Sequence, residues 1–265
     1  MRPARLNIIR ALAPEADLLV DYMTVRPQGN RAFLVSDTVR RLKAASLWTR
    51  LDAAWFTAAH DAQAGRLNWK SPSTFALSEV SSPTFTADRG YAGNGSTSYL
   101  NTGWDMVNNG ANFVLNDFSM GAYVNATGSD AASTAVNLGS FDSVSGATLN
   151  VRRTGDGIGT RSNSLTSDSI GTGATTRLGL SVRQRTGSTA GEAFKNGASL
   201  GTSATSSLAT NSVDFFIGGI NTSGTFGSGV TDRHAMAFLG GSLSAQQHIA
   251  LDQIVRYYLV ALGAT

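Results

Sequence analysis

The chain has 265 residues, 42% hydrophobic and 15% charged, with 29 glycines and no cysteine. That hydrophobic content supports a real core and excludes a disordered chain, and the missing thiols exclude disulfide scaffolds, thiolate metal sites and cysteine nucleophiles. The net charge of +3 is unevenly spread, with 11 Lys/Arg against 6 Asp/Glu in residues 1–70 and 10 against 12 after them, but no basic run interleaves with aromatics and no nucleic-acid partner is expected.

The apolar run at 6–9 is short and Arg10 interrupts it, so it does not read as a secretory signal. No run approaches the ~20 apolar residues that cross a bilayer, and no membrane partner is expected. Residues 14–25 predict a short helix. Pro14 suits its first turn, Glu15 and Asp17 suit its positive end, and Leu18, Leu19, Tyr22 and Met23 form its apolar face. Residues 31–47 predict a second helix, with Phe33, Leu34, Val39, Leu42 and Leu47 at helical spacing. Asn30 or Ser36 can cap it, and Asn30 is the better placed. Residues 53–57 read as a first strand or a short apolar link.

From about 60 to 105 prolines, glycines and spaced aromatics predict short strands near 75–80, 83–87 and 98–102. Residues 112–125 contain a firm strand, with Phe118, Met120, Ala122 and Val124 facing one way. Residues 134–141 and 147–153 form the next pair. The Ser/Thr/Gly-rich tract at 158–171 is expected to be irregular.

Residues 177–203 organise the rest of the chain. Leu178, Leu180 and Val182 alternate with Gly179, Ser181 and Arg183, the period of a half-buried strand. A wide polar loop is expected from 186 to 191. Asn196-Gly197 then signals a tight hairpin, because a type I′ turn needs positive φ at both central residues. Residues 214–219 and 234–239 predict two further strands. Ser244 with Gln247 three residues on fits a capping box, and a helix with two apolar sides runs from there until Gly263.

The order of these pieces carries a resemblance. Residues 113–124, ending in Tyr123-Val124, are similar to an early strand of concanavalin A-like laminin-G-type domains. Phe194-Lys195-Asn196-Gly197 with Gly201 resembles their Y-V-N-G-x-x-x-G strand pair. Residues 213–219 resemble their L-x-I-G-G strand, and Leu243-Ser244-Ala245 their L-S tail. The resemblance covers about residues 75–245. It implies a mainly β chain: a concanavalin A-like antiparallel β-sandwich, or jelly roll, with N-terminal helices and one C-terminal helix. The expected parts are a helical docking or oligomerisation segment at 1–58, a sandwich at 59–243 and a terminal helix at 244–265.

The front end, Ala59-His60-Asp61 with Leu67-Asn68-Trp69 and residues 85–91, resembles a pattern in tailed-bacteriophage and prophage proteins of this type. That resemblance implies a non-enzymatic virion protein: a tail fibre, receptor-binding protein or capsid decoration. It would assemble in the host cytoplasm with other virion proteins, as a homo-oligomer with a trimer favoured, and would contact host surface polysaccharide. The alternative is a bacterial carbohydrate-binding or adhesion module, and after it a glycan hydrolase.

Catalytic residues are not expected. Glucanases of this fold carry Glu and Asp at fixed spacing on one strand, because glycoside hydrolysis needs an acid and a nucleophile. Only Glu15, Glu79 and Glu192 are present; Glu79 and Glu192 have no Asp two residues on, and Glu15 has Asp17 there but in the predicted first helix, so no strand carries the motif. His60, His234 and His248 show neither metal-ligand spacing nor a Gly-x-Ser-x-Gly partner, and His234 reads as a structural histidine. For sugar binding, Trp69, Tyr91 and Trp104 with Asp105 are the candidates, joined by Phe226, because they sit in polar or Gly-rich stretches. The competing reading is a loop side chain folded over the sandwich edge. No cofactor is expected beyond calcium, which laminin-G-type domains often bind. Asp130, Asp142 and Asp232 are its candidate ligands, with Asp105 and Asp156 weighed beside them, although loop aspartates are ordinarily turn formers.

Overall fold

Alternating apolar residues in the long strands feed two cores, one between two antiparallel sheets and one beneath a layer of helices. The computed structural model describes residues 11–128 and 134–264. The chain begins with α1 (Pro14–Asp21), α2 (Arg31–Ala44), β1 (Leu51–Trp55) and α3 (Ala62–Arg66). Short strands come next: β2 (Ser78–Val80), β3 (Thr84–Thr86), β4 (Gly90–Ala92) and β5 (Tyr99–Asn101). The long β6 (Phe118–Ala126) leads to β7 (Leu138–Phe141), β8 (Gly146–Asn150), β9 (Ile158–Ser164) and β10 (Asp168–Ile170). After them stand β11 (Gly179–Gly187), β12 (Ala190–Lys195), β13 (Ala198–Ser203) and β14 (Phe216–Ile217). The hairpin of β15 (Ile220–Thr222) and β16 (Thr225–Gly227), then β17 (Arg233–Gly240) and α4 (Ala245–Ala261), complete the order.

Among the described residues the first sheet runs β13-β12-β11-β6-β17-β4-β3, with β1 also paired to β17. The second runs β10-β9-β8-β7-β14-β5-β2, with β15 added parallel to β7. Phe118, Met120, Ala122 and Val124 of β6 all point into the inter-sheet core, as their spacing predicts. Tyr123 points the other way, into the core shared with Leu19, Val39, Leu42, Leu251 and Val255 of the helices. Each such large apolar side chain contributes roughly 1.5–3 kcal/mol when fully buried.

The expected mainly β sandwich with helices at both ends is the observed architecture, and several local features differ from the sequence reading. The stretch read at 53–57 as a first strand or an apolar link is a strand, β1, which begins two residues earlier at Leu51, pairs with β17 and puts Trp55 in the inter-sheet core. The tract at 158–171 is not irregular. It is the β9–β10 hairpin, with Ile158 paired to Ile170 and both buried. The wide loop expected after β11 is a two-residue turn, because Gly187 pairs directly with Ala190. Asn30 makes no capping bond to α2, and Ser36 accepts instead from the Ala13 backbone N–H. On α1, Leu18 and Tyr22 face solvent while Ala16, Leu19, Val20 and Met23 are buried.

α4 is locked onto the first sheet from several sides. Ser244 and Gln247 form the reciprocal capping box. Asn196 and Gly197 both have positive φ, 51° and 81°, and the tight turn fits closely under the helix. A Cβ on Gly197 would lie 2.9 Å from Ile249 Cα. His248 stacks on Phe194 at 3.5 Å, and the Tyr258 hydroxyl donates to the Ala58 carbonyl at 2.9 Å. The outer face of this sheet is therefore roofed, and any surface on that side is built by helices. Among the described residues no helix is long and apolar enough to cross a membrane.

Candidate functional site

The structure does not bring the sugar-binding candidates together on a surface. Trp69 is 2% exposed and stacks on Phe56 at 4.1 Å, with Tyr258 edge-on at 5.4 Å. Its ring belongs to the core beneath the helices. Trp104 is 1% exposed and packs among Phe113 and Phe215 in the inter-sheet core. Tyr91 is 1% exposed, and its hydroxyl donates to Ala62 O and Glu79 Oε1 at 2.9 and 2.7 Å. Burial first, and then Glu79, push that phenol above its ordinary range. Asp105 is buried, and its Oδ1 accepts from the backbone N–H groups of Val107 and Asn108, closing its own turn. Phe226 stacks nearly parallel on Tyr99 at 4.6 Å. Polar neighbours in sequence made these rings look exposed; the loops that hold Trp69 and Trp104 fold inward and Tyr91 and Phe226 stand on strands β4 and β16, because large rings gain most from burial.

The calcium candidates are committed elsewhere. Asp142 accepts from the Val144 and Ser145 N–H groups, a tight turn. Asp156 pairs with Arg152 at 2.8 Å. Asp130 lies outside the described residues. Asp232 is fully buried and pairs with the Arg177 guanidinium at 2.8 Å, while accepting from Gly128 N and Asn137 Nδ2. A carboxylate already holding a cation and two donors does not suit a second cation. Among the described residues no three His, Cys, Asp or Glu gather as a metal site.

A polar cluster that the sequence did not disclose lies around Asp232 and along β11. His234 sits within 3.2 Å of Asn137 Nδ2, and burial lowers it to about 4 against the opposing pull of Asp232. Lys195 donates to Ser181 Oγ at 2.9 Å and Arg177 O at 3.2 Å, and burial lowers its amine to about 7. Further along, Arg183 and Arg185 are both fully buried between the sheets. Arg185 donates to four carbonyls, those of Ser162, Gly187, Ser188 and Thr205. Arg183 donates its Nε to Ser162 Oγ, and its Nη2 lies 3.8 Å from Asp168. Its two terminal nitrogens make no hydrogen bond, and burial lowers it to about 10. The polar face of β11 thus points inward, because the other face is claimed by the helices. These groups are enclosed, so they position strands rather than meet a ligand.

The histidines make stability depend on pH. Gln184 Oε1 accepts from His248 Nε2 at 2.9 Å, which leaves Nδ1 buried without a partner. A second proton there would be a buried, uncompensated charge, and burial lowers His248 to about 4. The unfolded histidine, with a pKa of about 6.5, binds protons that the folded one refuses, so stability is present above that value and falls as pH drops toward 4. From about pH 7.5 to about pH 5.5 the unfolding free energy should fall by about 1.4 kcal/mol for each of His234 and His248. Urea titrations at the two pH values measure it. His248→Gln should remove its share, and a flat profile would refute the assignment.

The open surface with ligand-binding chemistry lies on the helix layer. A groove of about 760 Å³ runs between α2 and α4, lined by Gln28, Asn30, Phe33, Asp37, Arg41 and Tyr257. Phe33 and Tyr257 are 42% and 38% exposed. Arg41 places its guanidinium 4.0 Å over the Tyr257 ring and pairs with Asp37 at 2.8 Å. Arg31, also lining the groove, makes a bidentate pair with Asp88. Asp37 is the one carboxylate in the lining. A smaller groove of about 300 Å³ beside β12 and β13 likewise holds one, Glu192. Neither assembles the two facing carboxyl groups that ordinary glycoside hydrolysis uses.

No protein-family model matches this chain, and no curated protein sequence does. Solved structures do. A Trypanosoma rangeli sialidase in complex with 2,3-difluoro-KDN matches with a TM-score of 0.52 and 13% identity, over 84% of this chain and 39% of that one. A mutant of the same sialidase displaying trans-sialidase activity gives 0.55 and 12%, over 85% and 40%. Domain 4 of AbnA, an extracellular arabinanase from Geobacillus stearothermophilus, gives 0.46 and 13%, over 77% and 98%. What this chain shares with the two sialidases is the fold. It is an antiparallel β-sandwich of jelly-roll type, and the chain spans about two fifths of the length of the sialidase chains it matches.

The groove was present in the sequence as a pattern. Phe33, Asp37 and Arg41 stand at i, i+4 and i+8, one row along α2. The buried row is Val35, Val39 and Leu42. Counting Phe33 with the apolar face placed it on the wrong side, because two residues turn a helix by about 200°.

Proposed function

We propose that this chain is a non-catalytic glycan-binding sandwich whose contact surface is the α2–α4 groove, and that it serves as an attachment or decoration component of a tailed-phage particle. The observation that carries the binding reading is the pairing of two exposed rings with amide and charged side chains in one groove. Sugar C–H faces stack on such rings, and sugar hydroxyls need such polar neighbours. The volume is within the ~300–1,000 Å³ of ligand sites. The single carboxylate supports a role without hydrolysis. The fold shared with the sialidases is compatible with this reading, and it does not choose a ligand. The virion placement rests on the sequence pattern of residues 59–91, and a trimer built with other virion proteins belongs to the same proposal.

A glycan array of bacterial surface polysaccharides tests the binding reading. Phe33→Ala and Tyr257→Ala should each weaken binding about tenfold, roughly 1.4 kcal/mol, with a smaller effect on thermal stability than a core substitution, because the two residues are 42% and 38% exposed. Absence of binding, or variants that bind like the parent, would remove the groove. Release of new reducing ends from a bound polysaccharide would remove the non-catalytic reading. Light scattering that returns a monomer would remove the trimer.

A further inference from the structure

The groove's charges are already committed to one another. Arg31 holds Asp88 through both terminal nitrogens. Arg41 holds Asp37 and covers Tyr257. The paired carboxylate is in each case the main reason that the guanidinium is held above its ordinary range. The uncharged polar groups left for a ligand are carboxamides. Asn30 makes no side-chain hydrogen bond among the described residues, and Gln28 uses its Nε2 alone, toward Arg26 O at 3.3 Å. A carboxamide offers two donors and an acceptor with two lone pairs and no charge, which suits hydroxyl groups. An acidic sugar would have to draw Arg31 off its carboxylate, or approach the outer nitrogens of Arg41 against the like charge of Asp37, which Arg41 holds through Nε. For Arg31 that would strand a partly buried Asp88, whose exposure is 24%.

From this arrangement we infer that the groove selects an uncharged pyranose chain and discriminates against acidic glycans. The inference rests on the glycan reading of the groove and adds the ligand class to it. The rings supply stacking for the sugar faces, Asn30 and Gln28 supply hydroxyl contacts, and the two ion pairs stay closed.

The test is titration calorimetry of the full chain with neutral hexasaccharides (maltohexaose, cellohexaose, mannohexaose) and acidic ones (hexagalacturonic acid, hexameric α2,8-sialic acid), each at low and high salt. The expected result is a neutral probe that binds at least tenfold tighter than either acidic probe. Its affinity should change less than about twofold between 50 and 500 mM NaCl, since no ion pair forms. Asn30→Ala should weaken that binding about fivefold while leaving thermal stability in place, because the side chain caps nothing. Preference for an acidic probe, with affinity falling tenfold or more in salt, would overturn the inference and leave the groove as a glycan site. Failure of every probe would remove the glycan reading and the inference with it.

Discussion

Trp69→Ala is expected to lower the unfolding free energy by about 3–5 kcal/mol, the cost of emptying an aromatic site in a packed core. Trp69 stacks on Phe56, meets Tyr258 edge-on, and lies between the start of the sandwich and α4. Its removal opens a cavity where three elements meet, so the loss should reach α4 as well as the loop that holds the ring. Trp69→Phe should recover part of the loss. Urea denaturation with tryptophan fluorescence and far-ultraviolet circular dichroism measures both. A variant that keeps its stability but loses glycan binding would return Trp69 to the surface role its sequence neighbours imply.

Asp232→Ala should cost a similar amount, about 3–5 kcal/mol, for a different reason. The alanine leaves the Arg177 guanidinium without its carboxylate, and leaves Gly128 N and Asn137 Nδ2 without their acceptor. Stranded donors account for more of that cost than the pair itself contributes. The double variant Asp232→Ala with Arg177→Met should therefore be more stable than Asp232→Ala alone, a coupling that equilibrium unfolding of all four proteins resolves. Additive losses would mean that the two groups do not act as a pair. Thermal melts with added calcium belong beside these, since a rise of several degrees would return the Asp232 region to metal binding.

Features that depend on local chemistry were legible in the sequence. Asn196-Gly197 adopts the turn it encodes, Ser244 and Gln247 close their box, and β6 turns its four alternating residues inward. Features that depend on what packs against an element were not. A period-two strand has two faces, and only the helices covering β11 reveal that Arg183 and Arg185 face the interior. β9 and β10 are strands in a polar tract because Arg185 and a paired edge satisfy their backbone. Trp69 and Trp104 sit in polar sequence, yet distant segments bury them. Of the groove, only the Phe33, Asp37 and Arg41 row was present as a local pattern; Tyr257 is 224 residues from Phe33 in the numbering, and nothing local joins the two.

The roof over the first sheet has a temporal consequence. Ala58 O and the Tyr258 hydroxyl that reaches it are 200 residues apart. At roughly 5–20 residues per second of synthesis, that interval is on the order of 10–40 s. Until α4 emerges, the apolar sides of α1 and α2 and the outer residues of the first sheet lack their shared cover. The nascent chain therefore carries sticky surface for most of its translation, and chaperone occupancy on the ribosome should concentrate on residues 14–56.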